Sequence, residues 1–160
     1  MLHHRILCIA LSVVALGGCA TKLSSVSVAD TIAANPKLST LSSLVTKTGL
    51  TETLQGTGPF TVFAPSNDAF AKVSAKTMEE LGKDPDKLKA VLTYHVVLGK
   101  LMTADVRNGN SKTVNGANIS LSKAGEFVTV EDALVQTANV LATNGVVHVV
   151  DSVLIPPATR

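Results

Sequence analysis

Beyond its first few residues the chain carries two histidines, one tyrosine and a scatter of serines and carboxylates with which chemistry could be done. His95 and His148 stand far apart, and a zinc site ordinarily takes three or four ligands. Asp68 or Asp151 would have to complete the set, yet no i, i+4 or other tight spacing joins them. His148 lies between Val146 and Val150 on one face of a strand pattern, and His95 continues the stripe of Leu88, Val91 and Leu92. Both therefore read as buried, hydrogen-bonded core histidines. A nucleophilic triad can be written from Ser66, His148 and Asp151. However, Ser66 stands where a helix needs a cap and has no glycine elbow to expose it. His148 and Asp151 are three apart, so on a strand they point to opposite faces. The expectation is a binding domain with no catalytic centre, no metal site and no cofactor.

The other reactive residue is Cys19. Met1 to Arg5 is short and carries one fixed positive charge, and Ile6 to Leu16 is apolar except for Ser12. Eleven residues are too few to span a hydrocarbon core about 30 Å thick, which needs roughly 20 in a helix, but they suit the apolar region of a secretory signal. The run ends in Leu16-Gly17-Gly18-Cys19, which resembles the bacterial lipobox in spacing and residue types. Cys8 would leave with the signal, so Cys19 would be a lone thiol in an oxidising compartment unless a thioether-linked lipid consumed it. Several acyl chains anchor stably where one binds only marginally. Ala20 replaces the Asp that would suggest retention at an inner membrane, which points to an outer membrane or the cell surface. The expected order is a lipoprotein signal at 1–18, a lipidated tether at 19–27 and one domain at 28–157.

That mature part of about 140 residues is one domain's worth and long enough to bury a core without a disulfide. Once Arg5 is removed, thirteen basic residues face twelve acidic ones, and no basic run suggests nucleic acid. Phe60, Phe63 and Phe70 are three of only five aromatic residues, so their stretch is the expected centre of the core.

The elements that must position these residues are helical first and extended later. Asn35 and Pro36 predict a helix start, with Leu38, Leu41, Leu44, Val45 and Thr48 on one face and Gly49 as the stop. A turn of helix holding Leu50 and Leu54 follows. Phe60 to Ala64 predicts a strand ended by Pro65, and Ser66 or Asn67 caps a short helix through Val73. Thr77 and Glu80 predict a capping box, and Asp84-Pro85 begins the helix that carries His95. After Gly99 the period becomes two. Asn115-Gly116 predicts a hairpin between Thr113-Val114 and Ile119-Leu121, and Phe127 to Val130 is a further strand. Val146 to Ile155, apolar on both faces, predicts a central strand. Helices first and strands later argue for an α+β fold rather than a βαβ repeat.

Two of these stretches are similar to a known family. Gly58-Pro59-Phe60-Thr61-Val62-Phe63-Ala64-Pro65-Ser66-Asn67-Asp68-Ala69-Phe70 resembles the first signature of the fasciclin (FAS1) domain. Thr143-Asn144-Gly145-Val146-Val147-His148-Val149-Val150-Asp151-Ser152-Val153-Leu154-Ile155-Pro156 resembles its second, and Tyr94-His95 falls where the family carries a tyrosine–histidine pair. The resemblance runs from about Val28 to Pro156. It implies a wedge of β-strands packed against several helices, with both signatures in neighbouring central strands. It also implies a surface or extracellular protein that acts in adhesion by binding proteins or other matrix components, with no general enzymatic activity.

By that resemblance Tyr94 and His95 are candidate partner-binding residues. A second adhesion motif of animal members, an acidic–aliphatic pair, falls on Asn139-Val140. An integrin needs a carboxylate for its metal ion, so the amide of Asn139 argues against an integrin partner. A glycan would stack on exposed aromatics, of which the chain offers at most Tyr94 and Phe127. An unidentified surface or matrix protein is the expected partner, beside the membrane reached through the N-terminal lipid. The alternative is a membrane-proximal carrier of a small apolar ligand, held in a crevice between helices and sheet.

Overall fold

A computed structural model describes residues 26–156; Cys19, the signal and most of the tether lie outside them. The first helix, α1 (Val28–Ala34), was not anticipated. Ser27 caps it by accepting from the backbone of Asp30, whose carboxylate returns a bond to Ser27. The helix expected from Asn35 to Gly49 is two elements. Asn35 Oδ1 accepts from Lys37 N at 3.0 Å, two residues on, which winds Pro36–Leu38 into a tight 3-10 turn before α2 (Ser39–Lys47) begins. Leu38 cannot cap α2 with its side chain. Asn67 does so from elsewhere, accepting from Thr40 N at 3.1 Å and donating to Pro36 O at 3.1 Å.

Gly49 at φ 69° turns the chain into α3 (Leu50–Gln55). Ser66 caps α4 (Asn67–Lys72) as expected, accepting from Ala69 N at 3.2 Å. The next helix, α5 (Ala75–Lys83), starts at Ser74 rather than Thr77, because Ser74 Oγ takes the free amide of Thr77. Asp84 and Pro85 open α6 (Pro85–Tyr94) as expected.

Seven strands follow or interleave: β1 (Phe60–Pro65), β2 (Val96–Leu98), β3 (Gly109–Lys112), β4 (Asn118–Ala124), β5 (Phe127–Val130), β6 (Ala133–Ala142) and β7 (Gly145–Val150). Their order is β2-β1-β7-β6-β5-β4-β3, all antiparallel except the central β1–β7 pair. The Asn115-Gly116 turn joins β3 to β4 as predicted, but the hairpin's paired residues differ from those expected. Thr113 closes a five-residue loop onto Ala117 O, and Val114 N donates to Val96 O at 2.8 Å. The hairpin loop thus also meets β2, with a bridge at Val97 and Thr113, and the sheet curls into an almost closed barrel. β7 stops at Val150 instead of Ile155: Asp151 N still donates to Leu134 O, but Leu134 N donates to the Asp151 carboxylate at 2.8 Å and the chain bends there.

The β1–β7 pair separates two cores, which explains why both strands are apolar on both faces. Val62, Ala64, Val147 and Val149 face the helices, together with Ile32, Leu38, Leu41 and Leu92. Phe63 and Val150 face the barrel interior with Val97, Ile119, Leu121, Val128 and Val130. This is an α+β fold in which a wedge of strands packs on six helices among the described residues.

Candidate functional site

The two histidines are spent on backbone groups. His95 ends α6, is 2% exposed and binds at both ring nitrogens. Leu154 N can only donate, so Nε2 of His95 accepts from it at 2.9 Å, and Nδ1 carries the proton given to Val91 O at 2.7 Å. His148 holds the opposite tautomer. Its Nδ1 accepts from Asn139 N at 3.1 Å and its Nε2 donates to Leu101 O at 2.7 Å, while its ring stacks on Phe63 with centroids 5.6 Å apart. Burial pushes the His95 pKa down to about 4 despite the Val91 carbonyl, and burial lowers that of His148 against the pull of Leu101 O. Both rings are neutral ties between segments, one holding the C-terminal stretch and the other the 101–103 loop and β6.

Ser66 caps its helix and is buried. Asp151 accepts from Leu134 N at 2.8 Å and pairs with Lys72 at 3.3 Å; these bonds, the first above all, hold its carboxyl below the usual range. The three residues of the paper triad therefore serve three separate structural ends. No group of three or more metal-ligating side chains occurs among the described residues.

Tyr94 and His95 are neighbours in sequence but not in role. The Tyr94 side chain, 3% exposed, runs into the barrel core, and its hydroxyl lies 3.3 Å from Asn118 O and 3.4 Å from Glu131 Oε1. Burial and then the Glu131 carboxylate raise its pKa. Glu131 sits at φ 53°, and Oε1 also accepts from Ser120 N at 2.7 Å, so one side chain links the start of the β5–β6 turn, β4 and α6.

Asn139, at φ 57° in the irregular middle of β6, is likewise occupied. Its Oδ1 accepts from Thr103 N at 2.9 Å and its Nδ2 donates to Thr103 Oγ at 2.7 Å. Val140 packs half-buried on the helix-side core. The two candidate pairs are thus not brought together on one exposed face: His95 is enclosed and Asn139 has its amide bonded to a loop.

Several hollows open to solvent around Ile155, which is 58% exposed, and two of them are the larger. One, of about 440 Å³, is lined by Tyr94, Asn118, Glu131, Asp132, Ser152 and Leu154 among others. The other, of about 530 Å³, lies between Leu81, Val91 and Ala90 of the helices and Ala117 and Pro156. The first has an acidic rim and the second an apolar floor. Tyr94 is the sequence-predicted residue that lines this region. Ser152 and Ile155 belong to a stretch that reads as strand, and only the turn after β7 brings them here. By contrast, the apolar space under α2, α3 and α6, lined by Leu41, Val45, Leu50 and Leu92, has a volume of about 20 Å³, room for a single water-sized molecule.

Comparison with known proteins places these features. A family model described as the fasciclin domain matches residues 36–156. Protein sll1483 of Synechocystis sp. is 43% identical over 136 residues, which cover 84% of this chain and 76% of that protein. Immunogenic protein MPB70 of Mycobacterium bovis is 39% identical, with 78% of this chain and 66% of that one covered. Cell surface glycolipoprotein MPB83 of the same species is 37% identical, with 82% and 61% covered. The chain thus spans just under two thirds of the length of these two mycobacterial relatives. Among solved structures, a FAS1 domain pair from the insect cell adhesion molecule fasciclin I matches 77% of this chain and 46% of its own, with a TM-score of 0.65 and 24% identity. That likeness shows a shared fold.

Proposed function

The chain belongs to the fasciclin domain family, and from that premise we propose that it is a cell-envelope lipoprotein, anchored through Cys19, whose domain acts in adhesion or protein–protein contact rather than catalysis. The observation that carries this reading is the contrast between spent and open groups. Ser66, His148 and Asp151 are each bonded to backbone, whereas the Tyr94–Ile155 region leaves adjoining hollows to solvent. An acidic rim beside an apolar floor suits a protein segment with a basic side chain near aliphatic ones. The name of MPB83, a cell surface glycolipoprotein, supports a surface location, and the lipobox-like Leu16-Gly17-Gly18-Cys19 supports the anchor.

Asp132 and Ile155 are exposed, so Ile155→Asp with Asp132→Lys alters the hollows without opening a core. A deletion strain complemented with wild type should regain surface attachment, whereas the double variant should remain about tenfold lower with an unchanged melting temperature. Attachment that is unaffected by deletion, or fully restored by the double variant, would refute the assignment.

A further inference from the structure

The described chain enters the domain at one end of the sheet, and that end carries exposed apolar side chains that belong to neither core among the described residues. Val26 O accepts from both the backbone N and the hydroxyl of Thr143, in the turn between β6 and β7. Pairing across the sheet then fixes what lies around this entry. Leu98 is opposite Phe60, Phe60 opposite Gly145, and Gly145 opposite Ala142, so four strands end in one row. At strand spacings of about 4.8 Å the row is roughly 14 Å wide. Leu98, 59% exposed, ends that row on one face of the sheet, and Leu141, 61% exposed and one residue in from its other end, stands on the opposite face, with exposed Pro59 between the two strands and Lys100 just beyond Leu98. Exposed leucines on a small domain are unremarkable singly. Two flanking the point of chain entry are a pattern.

Cys19 to Val26 spans at most about 24 Å when fully extended. A domain of this size is roughly 35 Å across. If Cys19 bears the lipid, as the proposed function holds, the tether is shorter than the domain, and the end at Thr143 stays close to the bilayer. We infer that this end of the sheet stands on the lipid surface, with Leu98 and Leu141, one on each face, at headgroup depth and the Lys100 ammonium among the phosphates. The Tyr94–Ile155 hollows, beyond the opposite end of β7, then point away from the membrane. This inference rests on the anchor reading and adds an orientation to it.

The chain has no tryptophan, so a single introduced one reports its own depth. The full-length protein would be purified from membranes as Leu98→Trp, Leu141→Trp or Leu134→Trp and reconstituted into phosphatidylcholine vesicles brominated near the headgroup end of the acyl chains. Leu134 is the second residue of β6, about 25 Å along the strand from Ala142, and serves as the distant control. Emission at 98 and 141 should fall about twofold relative to unbrominated vesicles, with none lost at 134. Hydrogen exchange of the unaltered protein should slow at 97–100 and 140–143 on the same vesicles relative to detergent. The intact mass gives the lipid separately. A lipidated chain whose tryptophans at 98 and 141 are unquenched, or quenched no more than at 134, overturns the orientation and leaves the anchor standing. A chain without lipid and without quenching removes both.

Discussion

At the scale of single residues, His95 and His148 account for the most specific expectation. Each uses one ring nitrogen to accept a buried backbone N–H, and a second proton would set donor against donor. For His95 the folded-state pKa of about 4 lies below the ordinary 6.5. Between these values the unfolded chain binds a proton that the fold refuses. Stability is therefore full above pH 6.5 and falls as the pH drops towards 4, by up to about 3 kcal/mol from this residue. His148 adds to the fall in the same direction. Urea denaturation at pH 7 and pH 4.5 should show the loss, and His95→Gln, with nothing to titrate at that site, should show less of it. The burial of both rings was legible from their place in apolar stripes. Their partners were not, because Leu154, Leu101 and Asn139 come from segments with no pattern linking them to a histidine.

Among the elements, the junction of the two signature stretches is the tightest. Asn144 Oδ1 accepts from Val28 N at 2.8 Å, and its Nδ2 donates to Leu54 O at 2.7 Å and Gly56 O at 2.8 Å. One amide thus ties α1 and the end of α3 to the start of β7. Asn144→Ala should lower the unfolding free energy by about 2–3 kcal/mol in urea titrations, since buried backbone groups lose their partners. Gly145 faces a harder limit: a Cβ there would lie 2.0 Å from Phe60 O, on the neighbouring strand. Gly145→Ala should cost more than about 3 kcal/mol or abolish soluble expression, because β1 and β7 would have to part. Asn144-Gly145 reads in the sequence as turn punctuation, which is half of its role. The strands β1, β5 and β7, the caps at Ser66 and Asp84 and the Asn115-Gly116 turn were all legible from local pattern. α1 was hidden because Ser27 sits beside a polar tether, and β6 because Gln136, Thr137 and Asn139 break its alternation at an irregular stretch.

For the whole molecule, the central β1–β7 pair faces buried side chains on both sides while β3 and the hairpin loop lie at the margin. Amide exchange under native conditions should proceed from outside inwards. The β3–β4 hairpin should open first, and the amides of Val62, Phe63, Val147 and His148 should exchange last, near the global unfolding free energy. Equal protection in both places would mean that the two cores act as one cooperative block. The sole tyrosine packs its ring in the barrel core with its hydroxyl beside Glu131 at the edge of a hollow, in a chain without tryptophan. The protein's near-ultraviolet spectrum is accordingly a one-channel optical gauge of barrel integrity. In an alkaline titration the phenolate band should rise only above the pH at which free tyrosine ionises, because burial and the neighbouring Glu131 carboxylate both disfavour the anion.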